Sequence, residues 1–256
     1  MASTNLILHK GARLVDRTEL EGVEAPSPTA TWYPLKHAQV LDRVSATLQE
    51  AGFAVASMRL ALSRNDARFF GTLDLTTPVV SGVTLAVGVR NSMDKSFPIG
   101  FAAGRRVFIC DNLAFHSEIA VARKHTRYGE QRFREAICSA VQSLQQFKEA
   151  ERSRILRFQN KEVSDIQAES LLLRAFERGL LSHRVLPEAI CHWRKPSFEE
   201  FEPRTLWSLE NAFTSALAGM CRSNPHRFCA LTIAVQHLIG EAAGSLPGEP
   251  QMACAA

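Results

Sequence analysis

The chain has 256 residues, of which 46% are hydrophobic and 22% are charged, and its net charge is +4. This length and composition suffice for one large folded domain or two small ones with a substantial apolar core. The small net charge excludes a uniformly basic nucleic-acid binder of the histone type, but it allows a local basic surface.

The six cysteines are scattered, and none of them forms a C-x-x-C pair or joins a histidine pair at zinc-binding spacing. We therefore expect no metal site, no cofactor, and thiols that stay reduced inside the cell. No stretch is apolar over the roughly 18 residues that a membrane-spanning helix needs. Residues 1–11 contain only a short apolar run, which is less than a signal peptide requires. The sequence thus predicts a cytoplasmic protein with no membrane partner.

The first part of the chain predicts an irregular segment followed by a helix. Residues 1–33 are weakly patterned and include a cluster of Pro, Ser and Thr that is typical of a loop. Apolar side chains then recur at helical spacing over residues 36–51, and Gly52 occupies the position of a C-terminal cap.

The apolar period next changes from about 3.6 to 2, which predicts β-strands. The strands are expected at residues 53–63, 68–75, 82–90, 97–103 and, as a short fifth strand, 107–110. Parallel strands need long crossovers, whereas these connections are short. The sequence therefore predicts an antiparallel sheet with four or five strands.

The second half of the chain predicts helices. A long amphipathic helix without Gly or Pro is expected from about Gln131 to Phe158, backing the sheet. Ser164 and Gln167 have the spacing of a capping box, which predicts the start of a helix that continues to Leu181. Three more helices are expected, one beginning at Pro187 and two spanning residues 204–220 and 225–240.

The predicted fold class is therefore α+β, with an antiparallel four- or five-stranded sheet, a long helix behind it and a helical C-terminal section. In chain order we expect an N-terminal segment (1–33), an α+β core (34–160), the helical section (161–242) and a disordered tail (243–256).

Basic side chains are concentrated in one part of the sequence. Residues 90–135 contain nine Lys or Arg and five Asp or Glu, so this segment alone accounts for the whole excess of +4. Such clustering is expected of a protein that binds a polyanion, and Tyr128 offers a ring on which an unpaired base can stack. The alternative is a solvated face at the start of a helix. The candidate nucleic-acid-binding residues are Arg90, Lys95, Arg105, Arg106, Arg123, Lys124, Arg127, Tyr128 and Arg132.

A second interpretation is a polar pocket that belongs to an enzyme or a ligand-binding protein. Asn, Ser and Asp at strand junctions are equally explained by tight turns. No recognised catalytic motif is present, so no catalytic residue is assigned and we expect a protein that is not an enzyme. The residues that would have to converge are Asn91, Ser92, Asp94, Asp111, Asn112, His125 and Asn211. A third interpretation is a protein that binds a host factor.

Four short motifs resemble those of the phage/plasmid-like protein family, which has no established activity. They lie at Asn91–Ser96, Gly104–Asn112, Arg123–Thr126 and Leu206–Thr214. The resemblance extends over about residues 32–240 and implies a protein encoded on a phage, a plasmid or an integrated element.

The order of the elements is also similar to that of single-strand annealing recombinases, in which a curved antiparallel sheet is backed by a long helix. Fold alone does not fix function. Together with the basic cluster, these likenesses predict a nucleic-acid-binding protein of a phage or plasmid that acts in single-strand annealing, recombination or replication. Single-stranded DNA is the favoured partner, and a homo-oligomer is compatible with this plan.

Overall fold

The computed structural model describes residues 12–107, 112–223 and 225–245. Over these residues the chain forms six β-strands and eight α-helices, which confirms the α+β class. The strands are β1 (Arg13–Val15), β2 (Val55–Leu62), β3 (Arg68–Val80), β4 (Val83–Ser92), β5 (Ile99–Val107) and β6 (Asn112–Arg123). The helices are α1 (Arg17–Glu21), α2 (His37–Glu50), α3 (Gly129–Gln142), α4 (Leu144–Gln159), α5 (Asp165–Glu177), α6 (Leu186–Arg194), α7 (Leu206–Ser223) and α8 (Pro225–Ser245).

The strands form one antiparallel sheet in which each strand pairs with its neighbours in sequence, in the order β1 to β6. The antiparallel pairing is as predicted, but the expected count of four or five strands is wrong, because β1 and β6 were not foreseen. β1 has only three residues, too few to show a period. In β6 the partner of Ala102 is Ala120 and the partner of Gly104 is Phe115, so a large bulge interrupts the alternation. Residues 108–110 of the predicted fifth strand lie outside the described residues.

One face of the sheet carries the apolar core of the first unit. Alternate side chains of β4, including Leu85 and Val87, are buried on this face, and α2 packs against β2 and β4 while α3 packs against β6. Asn91 lies on the same face because it is an even number of residues from Leu85 and Val87 along β4. His37, the first residue of α2, contacts both Asn91 and its cross-strand partner Phe69. The helices therefore cover the face to which Asn91 belongs.

The long helix predicted over residues 131–158 is two consecutive helices, α3 and α4, that are separated by Ser143. The Oγ of Ser143 donates a hydrogen bond to the carbonyl oxygen of Ser139 at 3.2 Å. A serine hydroxyl that competes in this way for the carbonyl one turn back tends to bend a helix. The absence of Gly and Pro from this segment was therefore insufficient to predict a continuous helix.

The chain divides into two compact units. The first comprises residues 1–152 and 218–229, and the second comprises residues 153–217 and 230–256. In the second unit, the buried ring of Trp193 donates from Nε1 to Asp165 Oδ1 at 2.9 Å, and the Arg204 guanidinium lies 4.8 Å above the same ring. α8 reaches Ser245, so the first residues assigned to a disordered tail are helical, and residues 246–256 lie outside the described residues.

The helix ends follow the predicted capping signals. Gly52 has φ of 82°, and the amides of Gly52 and Phe53 donate to Gln49 and Leu48 in the pattern of a Schellman motif after α2. At the start of α5, Ser164 accepts from the Gln167 amide at 3.3 Å, and the Ser164 amide donates to the Gln167 side chain at 2.9 Å. The capping box predicted from sequence is therefore confirmed.

Replacing Ser164 with alanine should lower the free energy of unfolding by about 1 kcal/mol, because the Gln167 amide loses its acceptor. Urea unfolding followed by circular dichroism measures the change. Ser170→Ala, at an exposed position inside the same helix, is the matched control and should cost nothing, since alanine is the better helix former there. Equal effects of the two replacements would contradict the capping role.

Candidate nucleic-acid interface

The turn between β4 and β5 is held in one conformation by Asp94. Asp94 Oδ1 accepts from the Ser92 hydroxyl at 3.1 Å and from the Ser96 amide at 3.0 Å, and Oδ2 accepts from Arg68 Nε at 2.7 Å. Partial burial raises the pKa of Asp94, but the hydrogen bonds from Ser96, Arg68 and Ser92 outweigh burial and lower it to about 2. Asp94 is therefore ionised at neutral pH, and its role is to fix the turn.

This turn presents Lys95 over an aromatic ring. Lys95 has φ of 65°, in the left-handed region that non-glycine residues seldom occupy. Its Nζ lies 5.0 Å from the centroid of the Trp32 ring, which is cation–π geometry. Trp32 in turn contacts the His125 ring edge-on, with centroids 6.4 Å apart, and the Tyr33 amide donates to the His125 carbonyl at 3.0 Å. Three distant segments of the chain thus meet at one end of the sheet.

The other basic residues at this end follow from the strand register. Arg123 pairs with Ile99, the first residue of β5, and the chain then turns through Lys124 and Arg127 into α3. We use the name basic patch for five exposed residues: Lys95, Arg123, Lys124, Arg127 and Arg132. Tyr128, which is 59% exposed, lies beside them.

The charges of the basic patch are not neutralised by the described part of the chain. No described carboxylate forms an ion pair with any of its five members. The acidic groups nearby have partners outside the patch, since Asp94 binds Arg68 and Glu130 lies 3.5 Å from Arg43. The patch therefore presents an excess of positive charge to solvent.

Arg90 lies beside the patch but is directed along the sheet. Its side chain crosses Gly100, where an added Cβ would come within 2.7 Å of Arg90 Nε, and its guanidinium lies 5.4 Å from the Phe97 ring centroid. Arg90 is half-buried, so Gly100 provides the space that this side chain occupies.

Arg105 and Arg106, two further predicted phosphate ligands, are only 2% and 1% exposed. They project to opposite faces of β5, where Arg105 Nε lies 2.5 Å from Glu151 and Arg106 Nε lies 2.5 Å from Asp74. Contact with phosphate would require both guanidinium groups to leave these carboxylates and reach the surface. They are therefore not part of the basic patch.

A buried histidine, which the sequence did not single out, lies at the same end of the sheet. Asn91 Nδ2 donates to the Leu35 carbonyl at 2.8 Å and to His37 Nδ1 at 2.9 Å, while His37 Nε2 lies 2.9 Å from the Asp66 carbonyl. These partners assign the proton to Nε2 and leave Nδ1 as an acceptor. Burial lowers the pKa of His37 to about 4, so the ring is neutral at physiological pH.

His125 is buried in the same region. It is 6% exposed, neither ring nitrogen has a hydrogen-bond partner in the part of the chain that the structure describes, and burial lowers its pKa. His125 is a candidate from the sequence because it follows Lys124 in the basic segment. Its contact with Trp32 is not evident from the sequence, because the two residues are far apart along the chain.

The residues of the predicted polar pocket are brought together only in part. Asn91, Ser92, Asp94 and His125 lie at the end of the sheet that carries the basic patch. Asn112 pairs with Val107 at the other end of the β5–β6 ladder, about 27 Å away along the strand.

The other two candidates of that pocket are Asn211 and Asp111. Asn211 belongs to the second unit, where its Nδ2 donates to the Trp207 carbonyl at 2.9 Å. Asp111 lies outside the described residues. Because the side chains of Ser92 and Asp94 and the amide nitrogen of Asn91 form hydrogen bonds within the chain, turn and core formation account for these three residues.

Comparison of the chain with models of protein families, with curated proteins and with solved structures finds no match. No helix among the described residues is long and apolar enough to cross a membrane. The same residues contain no group of three or more His, Cys, Asp or Glu side chains placed to hold a metal ion.

Proposed function

We propose that this chain binds single-stranded nucleic acid through the basic patch, as a protein of a phage or plasmid that acts in annealing, recombination or replication. The observation that supports this proposal most directly is the set of five exposed basic side chains at one end of the sheet, none of which forms an ion pair with a described carboxylate. A phosphate backbone supplies the missing negative charge.

The expected binding energy is electrostatic. Each basic side chain that neutralises a phosphate releases condensed counterions, so affinity falls steeply as salt is added. The guanidinium groups of Arg123, Arg127 and Arg132 can also contact two phosphate oxygens at once. A nucleic-acid strand that lies along the patch would therefore be bound through its phosphate backbone, whatever its base sequence.

The preference for single strands comes from the aromatic rings. Tyr128 is exposed beside Arg127, and Trp32 lies under Lys95. Unpaired bases expose the flat faces that stack on such rings, whereas the bases of a duplex are stacked on one another. Basic side chains interleaved with aromatic rings are the usual combination in single-strand binding surfaces.

Fluorescence anisotropy with a labelled 15-nucleotide strand should show binding that weakens about 100-fold between 50 and 200 mM salt, as expected for about five phosphate contacts to a single strand. The corresponding duplex should bind more weakly at each salt concentration. In Lys124→Ala/Arg127→Ala, the slope of log affinity against log salt should become shallower by about 1.4, because two contacts are lost.

Arg152→Ala/Arg184→Ala is the matched control, since it removes two charges from exposed positions outside the patch. It should leave the affinity and the salt slope close to those of the wild type. The proposal fails if the wild-type protein binds neither strand nor duplex at 50 mM salt, or if the two double variants are affected equally.

A further inference from the structure

We propose that one face of the Trp32 ring is the stacking platform for a single unpaired base, and that Lys95 leaves this face to bind the phosphate of the same nucleotide. This inference rests on the proposed function and assigns one nucleotide position within it. Trp32 was not among the residues predicted from sequence, and its role emerges from the side chains that surround it.

The Trp32 ring is anchored so that its position does not depend on the ligand. Its Nε1 is buried without a hydrogen-bond partner in the described part of the chain, so the ring is held by packing, including an edge-on contact with His125 at a centroid distance of 6.4 Å. The backbone on either side is also fixed, because the Thr29 amide donates to the Trp32 carbonyl at 2.8 Å and the Tyr33 amide donates to the His125 carbonyl at 3.0 Å. With one edge held inside the protein, the ring is half-buried, and the exposed Lys95 lies over one of its faces.

That face is covered by a group that can leave it. Lys95 is exposed, and no described carboxylate pairs with it, so the Trp32 ring is the one described partner of its ammonium group. An exposed cation–π contact changes an equilibrium only about two- to fivefold. Stacking of a base on an aromatic side chain typically contributes about tenfold or more. Exchange of the ammonium for a base is therefore favourable, and the freed ammonium gains a phosphate.

The charges around the ring select the class of ligand. Aromatic faces also bind cationic groups such as quaternary amines, but Lys95, Lys124 and Arg127 would repel a cation at this place. A ligand that combines an aromatic face with negative charge satisfies both the ring and its basic surroundings. A nucleotide of a single strand has this combination.

The rigid turn explains why the residue above Trp32 is a lysine in an unusual conformation. Asp94 accepts hydrogen bonds from Ser92 and Ser96 on the two sides of the turn, and the φ of 65° at Lys95 directs the side chain over the ring. Glycine adopts this backbone conformation more readily than lysine. Lys95→Gly therefore removes the ammonium group while it preserves the turn and uncovers the ring.

The test compares oligothymidylate of 15 nucleotides with an abasic strand of the same length and phosphate count, by anisotropy at one salt concentration. The wild-type protein should bind oligothymidylate about tenfold more tightly than the abasic strand. Trp32→Ala should clearly reduce this preference, with the remainder due to Tyr128, while binding to the abasic strand is unchanged. Trp32→Phe should keep most of it, because a flat ring remains.

Lys95→Gly should weaken binding to both strands and keep the preference between them, because it removes a phosphate contact and no stacking surface. Phe176→Ala, which removes an exposed aromatic ring from the second unit, should behave as the wild type. Equal binding of the two strands by the wild-type protein overturns the Trp32 assignment, as does a full preference in Trp32→Ala. Both of these results leave the basic patch intact, whereas failure of the wild type to bind either strand overturns the proposed function itself.

Discussion

Replacing Asp74 with alanine is expected to lower the free energy of unfolding by about 3–5 kcal/mol, because it removes the carboxylate that faces the buried guanidinium of Arg106. Asp74 Oδ1 lies 2.5 Å from Arg106 Nε, and Asp74 Oδ2 accepts from the Ser57 hydroxyl at 2.8 Å. The side chains of Asp74 and Arg106 are 3% and 1% exposed. Water cannot replace the lost carboxylate at such a depth, so the guanidinium remains poorly solvated.

A double-mutant cycle separates the interaction energy of Asp74 and Arg106 from the general effect of disturbing the sheet. Arg106→Met alone should be costly because it leaves Asp74 buried and charged, whereas Asp74→Ala/Arg106→Met should cost much less than the sum of the two single changes. Glu21→Ala is the control, since its ion pair with Arg17 is exposed, and it should cost less than about 1 kcal/mol. Urea unfolding measures the wild type and the four variants, and a loss below about 1 kcal/mol for Asp74→Ala would contradict the prediction.

The buried pair also bears on how charge in the sequence is interpreted. Arg105 and Arg106 contribute to the local excess between residues 90 and 135, yet their partners Glu151 and Asp74 lie outside that window. Counting charges along the chain therefore overestimated the basic surface at β5. The residues that keep their charge at the surface are those in the turns at the end of the sheet.

The unfolding free energy should also fall by about 3 kcal/mol as the pH is lowered from 6.5 to 4, because of His37. Burial lowers the pKa of this histidine from 6.5 to about 4. Between these values the unfolded chain binds a proton that the folded chain does not, so acid favours unfolding. The cost has a structural origin: protonation of Nδ1 would place a proton against the Asn91 amide that now donates to it.

Other titratable groups near His37 also affect how the unfolding free energy depends on pH. Burial also lowers the pKa of His125, so its contribution has the same sign. Asp94 acts at lower pH, because its pKa is lowered from 3.8 to about 2 and its stabilising effect is lost only as the pH falls through that interval. The Asp66 carbonyl, which partners His37 Nε2, does not titrate.

Urea unfolding at half-unit steps from pH 7 to pH 4 measures the His37 contribution as the difference between the wild type and His37→Gln. The variant should be less stable at pH 7, and its curve should be flatter between pH 6.5 and 4. His183→Gln, at an exposed histidine of the second unit, is the matched replacement and should follow the wild-type curve. Parallel curves for the wild type and His37→Gln would show that His37 is not the titrating group.

Local signals in the sequence predicted the helices and most of the sheet well. Gly52 and the Ser164–Gln167 pair marked helix ends correctly, because capping depends on residues within a few positions of one another. The strand period failed in β6, where a bulge breaks the alternation. The helix pattern failed at Ser143, where the helix stops although no Gly or Pro is present.

The candidate interface was predictable only in part, because local patterns do not show which distant segments of the chain meet. Lys95, Arg123, Lys124 and Arg127 were identified from sequence because basic residues cluster along the chain. Trp32 was missed, since its position under Lys95 depends on how a loop near the N-terminus meets the β4–β5 turn. His37 was missed because the spacing of residues does not show that Asn91 is its partner.

By itself, the sequence determined the α+β class, the antiparallel pairing, the helix caps and a local excess of basic charge, because each of these depends on nearby residues or on composition. Only the tertiary structure decided which charges are neutralised. It placed Arg106 against Asp74 inside the sheet and left Lys124 and Arg127 in a turn at its end. Burial and partner choice depend on segments that are distant along the chain, and no local pattern encodes which of them meet.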